Sequence, residues 1–251
     1  MAQVMKFHNW PPKGKGSFED YSFEGTKYDW DNMLDVYTAD KYSVTEANAV
    51  ARLMLDCGKS VNMKYSSEAS GAQSAMVGLA LMDYFDYDPS LRMHRREAYT
   101  TLQWDSLVYN ELASGRPVYY SGASENGGHA FVCDGYQGNG FFHFNWGWGG
   151  SQDGYFRLYC LDPAAGGIGS YEGGYNNRQQ VFTHVIPNTG IPCERQVLLV
   201  ATGGYIGHVA TEKGVANLLI RFNDADGKQS GAYNYLAYTE KNSYMRTLGS
   251  G

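Results

Sequence analysis

The chain has 251 residues, of which 43% are hydrophobic, so it can bury a large core in one domain or in one domain plus a smaller one. Its formal net charge of −6 argues against nucleic acid or an anionic membrane as the main partner. No apolar run approaches the length of a membrane span, and the first residues lack the basic and apolar regions of a signal peptide.

The first half of the chain is predicted to be helical. Residues 1–8 are typical of the end of a helix, which Pro11 would stop soon after. In the longer helix predicted over residues 43–57, Thr45 is the expected N-cap and Gly58 the expected stop. Further helices are predicted over residues 28–34, 72–85 and 104–113.

After Gly115 the pattern changes to short β-prone runs separated by glycine. The order of helices first and strands second predicts an α+β fold with two subregions facing each other. Residues 162–177 are rich in glycine and are expected to form a flexible loop outside the core. Strands are predicted over residues 117–120, 129–135, 140–146, 154–158 and 180–186.

Pro187 is the predicted domain boundary. Beyond it, alternating patterns at 196–202 and 216–222 predict strands, and residues 224–227 predict a turn. At this length the segment 188–251 is marginal as an independent domain. It is therefore either a small β appendage or part of a second β domain.

The residues that indicate a catalytic site are a histidine preceded by glycines and a later Asn-Trp pair. His129 follows Gly128, which allows close backbone approach to a ligand, and opens a predicted strand that would fix its ring. A lone histidine of this kind is more often a packed residue between strands. Asn145 and Trp146, however, lie on the predicted neighbouring strand. A thiol protease needs a base, an amide that orients the imidazole and a shield against water, so the combination predicts that Asn145 contacts the far nitrogen of His129.

The same segments resemble the streptopain family, which are papain-like cysteine proteases of bacteria. The resemblance covers residues 1–187 in order and leaves out 188–251. It implies a papain-like α+β fold, with a helical subregion facing a twisted antiparallel sheet and a small C-terminal β extension. It is carried by residues 2–11, 116–120, 128–132, 142–150 and 153–158.

The resemblance also implies roles for individual residues. His129 would be the catalytic base, Asn145 its orienting residue and Trp146 the indole that shields them. Gly71, Gly128 and Trp148 would lie along the peptide-binding cleft. Residues 162–177 would form a mobile loop that gates this cleft.

At the level of activity, the resemblance implies a cysteine endopeptidase that hydrolyses proteins or peptides without a metal or other cofactor. It further implies a protein secreted or held at the cell surface, made as a zymogen, with a propeptide or a propeptide-like inhibitor as a partner. The cysteines of the chain show no C-x-x-C spacing, which argues against a zinc or redox site.

The nucleophile is not evident among the four cysteines. Cys133 follows His129 on the same predicted strand, about 13 Å along it, and Cys57 ends a helix, where the dipole disfavours a thiolate. In the streptopain family the nucleophile opens the helix that ends near residue 8, about five residues before Met1. The chain as written is therefore expected to be inactive. Two hypotheses stay open, an enzyme whose sequence is cut short and a natural pseudoprotease that binds peptides or acts as a scaffold.

Overall fold

The structure is a computed structural model that describes residues 1–67, 69–125, 127–163 and 174–193, together with the backbone of short strands between 198 and 250. It contains two compact units, Met1–Gly190 and Ile191–Gly251. This division lies close to the boundary predicted at Pro187. The assignment of the two parts as a peptidase domain and a β appendage stays a prediction.

Most helices of the first unit lie in its first half, as the sequence pattern predicts, but the helix predicted over residues 28–34 is only a 3-10 turn at Trp30–Asn32. Helix α1 ends at Asn9, whose left-handed backbone (φ 46) lets its N–H bond back to the last turn. The helices are α1 (Ala2–His8), α2 (Val44–Ser60), α3 (Ser74–Tyr84) and α4 (Thr101–Ala113), with short 3-10 turns at Trp30–Asn32 and Arg96–Ala98.

The predicted ends of α2 are corrected by the structure. Its N-cap is Ser43, not Thr45, because Ser43 and Glu46 exchange side-chain and backbone hydrogen bonds in a capping box. The helix also continues through Gly58 and ends at Ser60. A Cβ at position 58 would lie 1.8 Å from the hydroxyl of Tyr65, so this exposed side chain would have to shift if Gly58 were replaced.

The second half of the first unit forms a six-stranded antiparallel sheet. A small hairpin, β1 (Ser17–Phe18) and β2 (Tyr21–Ser22), precedes it in the chain. The sheet has the strand order β3-β8-β4-β5-β6-β7. Its strands are β3 (Arg92–Arg95), β4 (Val118–Ala123), β5 (Gly128–Gly138), β6 (Phe141–Asn145), β7 (Gly154–Phe156) and β8 (Asn177–Thr183).

Helix α4 packs on one face of this sheet and encloses an aromatic core. Each fully buried side chain of this size contributes about 1.5–3 kcal/mol relative to exposure. A chain of hydrogen bonds crosses the core, because Trp104 Nε1 donates to the Tyr120 hydroxyl and that hydroxyl donates to Gln179 Oε1, each over 2.7 Å. The core includes Trp104, Val108, Tyr120, Phe131, Phe142, Phe144, Trp146 and Tyr175.

Replacing Tyr120 by phenylalanine is expected to lower the free energy of unfolding by about 3 kcal/mol, because it leaves two buried polar atoms without partners. Urea denaturation followed by tryptophan fluorescence measures this effect, since all five tryptophans lie in the first unit. Tyr155→Phe is the matched control, because Tyr155 is 50% exposed. Equal stability of the two variants would contradict the prediction.

In the second unit, the structure describes residues 191–193 and the backbone of three antiparallel strand pairs. The predicted strand 196–202 includes β9, whereas most of 216–222 and the predicted turn 224–227 lie outside the described residues. The pairs are β9 (Leu198–Val200) with β10 (Ile206–His208), β11 (Thr211–Glu212) with β12 (Val215–Ala216), and β13 (Asn234–Tyr238) with β14 (Met245–Ser250). Among the described residues, no helix is long and apolar enough to cross a membrane.

Candidate active site

His129 lies at the start of β5 and faces an aromatic enclosure. It pairs with Gly122 of β4 in the sheet. Its ring stacks on the indole of Trp148, with centroids 5.0 Å apart and planes inclined by 20°. The ring of Tyr175 lies 5.3 Å away and that of Phe131 5.8 Å away. The imidazole is therefore held in one orientation by packing on several sides.

One ring nitrogen of His129 forms a hydrogen bond with the main chain. Its Nε2 lies 2.8 Å from the carbonyl oxygen of Trp146. A carbonyl can only accept, so Nε2 carries the proton of the neutral ring and Nδ1 carries the lone pair. Among the described residues, no hydrogen bond reaches Nδ1. This nitrogen is the one available to take a proton from a reacting group.

Burial lowers the pKa of His129, and the hydrogen bond to the Trp146 carbonyl raises it by a smaller amount. The net direction is downward from the ordinary value of 6.5. The neutral form is consequently favoured near neutral pH, which is the form that a general base needs.

The predicted contact between Asn145 and His129 is not present, and this expectation is corrected. Asn145 pairs with Val132, so its side chain shares the face of Val132. His129 is an odd number of residues from Val132 and points to the opposite face. The Asn145 Oδ1 accepts instead from Gln3 Nε2 and from the Gly147 N–H, each at 2.9 Å.

The predicted role of the Trp146 side chain is also corrected. Its indole is fully buried in the core and stacks on the indole of Trp148 with centroids 5.7 Å apart. The ring that covers His129 is that of Trp148, which the resemblance had placed in the peptide-binding cleft. Trp146 contacts His129 through its carbonyl oxygen. Trp148 thus takes the covering role expected of Trp146, and a main-chain atom orients the base.

The turn after β6 is built to hold this carbonyl in place. The N–H of Trp146 donates to Asp153 Oδ1 over 2.9 Å. Gly147 follows with φ +78, a conformation that glycine adopts at little cost. A Cβ at Gly122, opposite His129, would lie 2.2 Å from the Tyr175 carbonyl, so this glycine allows Tyr175 to approach the site.

For the two remaining predicted site residues, Gly128 and Gly71, the structure gives their position but no direct link to a peptide-binding role. Gly128 is exposed and precedes His129 in β5. Gly71 forms an isolated β-bridge with Lys64, and in the described residues no backbone hydrogen bond joins it to the group around His129. The assignment of both glycines to a peptide-binding cleft stays a prediction.

The predicted gating loop 162–177 lies largely outside the described residues, since only 162–163 and 174–177 are described. Its second end is not outside the core as expected, because Tyr175 is 1% exposed and packs against His129. The Tyr175 N–H donates to the Leu161 carbonyl over 2.8 Å, which ties the two ends of the loop together. Sequence reasoning missed Tyr175, although an aromatic residue at the edge of a glycine-rich run was a usable signal.

The described side chains offer His129 no thiol partner. Cys133 is fully buried, and burial raises the pKa of its thiol. Burial likewise raises the pKa of Cys57 to about 12. Cys160 and Cys193 are exposed. Where the chain is described, His129 contacts three aromatic rings and a carbonyl, and the same residues contain no metal-binding cluster of His, Cys, Asp and Glu.

We expect the first unit to lose stability below the ordinary histidine pKa of 6.5. The folded chain resists protonating His129 and His8, whose pKa values burial lowers, whereas the unfolded chain takes up these protons. Unfolding is therefore favoured as the pH falls from about 7 to about 5. Urea denaturation midpoints across this range measure the slope of stability against pH, and His129→Gln should make this slope smaller. An unchanged slope in His129→Gln would show that His129 does not contribute.

Comparison with known proteins gives consistent matches. The chain matches the model of the Peptidase C10 family over residues 1–156. It is 37% identical to streptopain from Streptococcus pyogenes, over 74% of this chain and 50% of that protein. It is 39% identical to the thiol protease/hemagglutinin PrtT from Porphyromonas gingivalis, over 74% of this chain and 23% of that protein. The chain thus spans half the length of the streptopain that it matches.

Solved structures show the same similarity in three dimensions. The chain is similar to the active wild-type interpain A cysteine protease of Prevotella intermedia, with a TM-score of 0.63 and 34% identity. This match covers 74% of this chain and 80% of interpain A. A prointerpain A fragment from the same organism matches with a TM-score of 0.60 and 33% identity, over 74% of this chain and 60% of the fragment. The predicted papain-like α+β fold is confirmed by these neighbours.

Proposed function

Since the chain belongs to the peptidase C10 family, we propose that it is a cysteine-type endopeptidase, in which His129 is the base of a thiol–imidazole pair. The observation that carries this proposal is the state of His129. Its Nε2 is held by the Trp146 carbonyl, its ring is covered by Trp148, and its Nδ1 has no hydrogen bond among the described residues. Such a ring is oriented to accept a proton at one defined atom.

We infer that the thiol comes from the N-terminal side of α1, about five residues before Met1, as in the streptopain family. The support is the contact between Gln3 of α1 and Asn145 of β6. Asn145 directly precedes Trp146, whose carbonyl holds His129. The beginning of α1 consequently lies beside the segment that orients the base, and a helix preceding Met1 would bring a thiol to the same place.

The proposed reaction follows from this arrangement. The thiol passes its proton to His129 Nδ1, and the thiolate attacks the carbonyl carbon of the peptide bond. His129 then returns the proton to the leaving amine as the C–N bond breaks and an acyl-enzyme remains. Water attacks the acyl-enzyme, gives a proton to Nδ1, and releases the carboxylic acid and the thiol.

The family resemblance supports three finer proposals. We propose that the substrates are proteins or peptides, that the enzyme is made as a zymogen, and that it acts outside the cell or at its surface. The similarity to a prointerpain A fragment supports a propeptide as a binding partner. A propeptide of this kind would occupy the same cleft as a substrate.

A second candidate function is a peptide-binding pseudoprotease. The positions of the cysteines favour it, because Cys57 and Cys133 are buried and no described cysteine contacts His129. In this case the cleft would bind peptides or a propeptide without cleaving them. The aromatic enclosure around His129 would then serve binding alone.

A peptidase assay separates the two functions. The 251-residue chain is compared with a chain extended through the in-frame codons before Met1, using casein as substrate. Peptidase activity should appear only in the extended chain, and iodoacetamide or a Cys→Ser change in the extension should abolish it. An inactive extended chain, or one without an upstream cysteine, would favour the pseudoprotease. Thiol-dependent cleavage by the 251-residue chain would instead assign the nucleophile to an internal cysteine.

A further inference from the structure

The peptide unit between Trp146 and Gly147 is hydrogen-bonded on both sides. Its carbonyl oxygen accepts from His129 Nε2 over 2.8 Å. Its N–H donates to Asn145 Oδ1 over 2.9 Å. A peptide unit is planar, so the direction of the N–H sets the direction of the carbonyl. The carboxamide of Asn145 therefore governs where the carbonyl that holds His129 points, although it does not touch the imidazole.

The same carboxamide oxygen connects to a distant part of the chain. Asn145 Oδ1 also accepts from Gln3 Nε2 over 2.9 Å. The assignment of the two amides is determined by the Gly147 N–H, which can only donate and requires an oxygen on Asn145. Gln3 must then present its NH₂ group. Helix α1 is thus connected to the turn after β6 through one bifurcated acceptor.

The rest of the turn has little freedom to adjust independently. The N–H of Trp146 donates to Asp153 Oδ1 over 2.9 Å, which restrains the peptide unit just before Trp146. A displacement of Asn145 would consequently be passed to the Trp146–Gly147 peptide and not absorbed by the surrounding backbone. The Gln3 contact is therefore able to influence the ring of His129 from α1.

We propose that Gln3 is a positioning residue, which couples helix α1 to the imidazole of His129 through Asn145 and the Trp146–Gly147 peptide. The proposal deepens the proposed function, on which it rests where it assigns the thiol to the N-terminal side of α1. Gln3 then keeps the base aligned with the helix that presents the nucleophile. Such alignment matters because a displacement of about 1 Å in a catalytic group costs roughly a hundredfold in rate.

Imidazole NMR of the 251-residue chain tests the coupling without requiring activity. The variants are Gln3→Ala, Gln3→Met, which removes the donor and keeps a similar length without adding a charge, and Phe7→Ala as a control. Phe7 is 59% exposed on the same helix. His129→Ala assigns the resonance among the six histidines. Both Gln3 variants should move the Nε2–H resonance and lower the titration midpoint of His129 by about 0.3 pH units, whereas Phe7→Ala should leave it unchanged.

The double variant shows whether the effect passes through Asn145. In an Asn145→Ala background, Gln3→Ala should cause no further change at His129, because the path is already broken. Unchanged His129 signals in both Gln3 variants would overturn the proposal. An effect of Gln3→Ala that persists in the Asn145→Ala background would also overturn it, since the influence would then take another path.

Activity measurements distinguish this proposal from the proposed function. In the extended chain, Gln3→Ala is expected to lower kcat about fivefold with little change in KM. If no extended chain cleaves casein but the NMR coupling is present, the proposed function fails and the coupling stands. If cleavage occurs and the His129 signals do not respond to the Gln3 variants, the coupling fails and the proposed function stands.

Discussion

In the extended chain, replacing His129 by alanine is expected to lower kcat/KM for casein hydrolysis by about a thousandfold, because general acid–base catalysis contributes a factor of this order. The substitution removes the ring whose nitrogen is held by the Trp146 carbonyl and whose face is covered by Trp148. Without it, the thiol would have to ionise unaided and the leaving amine would depart unprotonated. Initial rates of casein cleavage across a range of casein concentrations measure the loss.

The control for this prediction is His143→Ala. His143 lies on β6, and its Nδ1 forms a pair with Asp134 Oδ1 over 2.5 Å, with both side chains partly exposed. Its loss should leave kcat/KM unchanged. Circular dichroism of both variants excludes unfolding as the cause. Full activity in His129→Ala would refute the assigned base. An equal loss in both variants would indicate that the substitutions act by disturbing the sheet and not by removing a base.

Replacing Glu111 by alanine is expected to destabilise the first unit by about 3–5 kcal/mol, because it leaves a partly buried guanidinium without its anion. Glu111 is 6% exposed on α4. Its carboxylate accepts from Arg116 Nε and Nη2, each over 2.8 Å, and from the His184 N–H over 2.9 Å. Burial raises the pKa of Glu111, but these hydrogen bonds outweigh it and lower the pKa overall. The effect is large because one side chain joins α4 to the chain that follows β8.

Urea denaturation followed by tryptophan fluorescence measures the loss, with Glu97→Ala as the matched control. Glu97 is exposed in a 3-10 turn and should change stability by less than about 0.5 kcal/mol. Glu111→Gln keeps one acceptor and should fall between the two. If Glu111→Ala were as stable as Glu97→Ala, the ion pair would be of no consequence to the fold.

Most helices and strands of the first unit follow the hydrophobic pattern of the sequence, because each element buries one face and that burial fixes the spacing of its apolar residues. The exceptions are local. Ser43 is preferred to Thr45 as a cap because Glu46 completes the capping box with Ser43. The edge strand β3 was not predicted, since its arginine and histidine residues obscure the single buried side chain of Met93.

At the candidate site, the sequence indicated which residues come together but not how they contact each other. The identity of His129 and its neighbouring tryptophans follows from the motif. The contact of Asn145 does not, because the pairing of Asn145 with Val132 decides which face its carboxamide occupies. A main-chain acceptor such as the Trp146 carbonyl has no side-chain signature at all. Tyr175 and Gln3 were missed because their proximity depends on chain segments that are distant in sequence.

A backbone oxygen orients His129, so ordinary mutagenesis of side chains cannot remove this contact. Every amino acid at position 146 supplies the same carbonyl, so alanine scanning would attribute the orientation of the ring to Asp153, Gly147 or other residues that shape the turn. Chemical synthesis could reveal it directly. An ester in place of the 146–147 amide would weaken the acceptor and delete the N–H bonded to Asn145, while every side chain of the protein stayed intact.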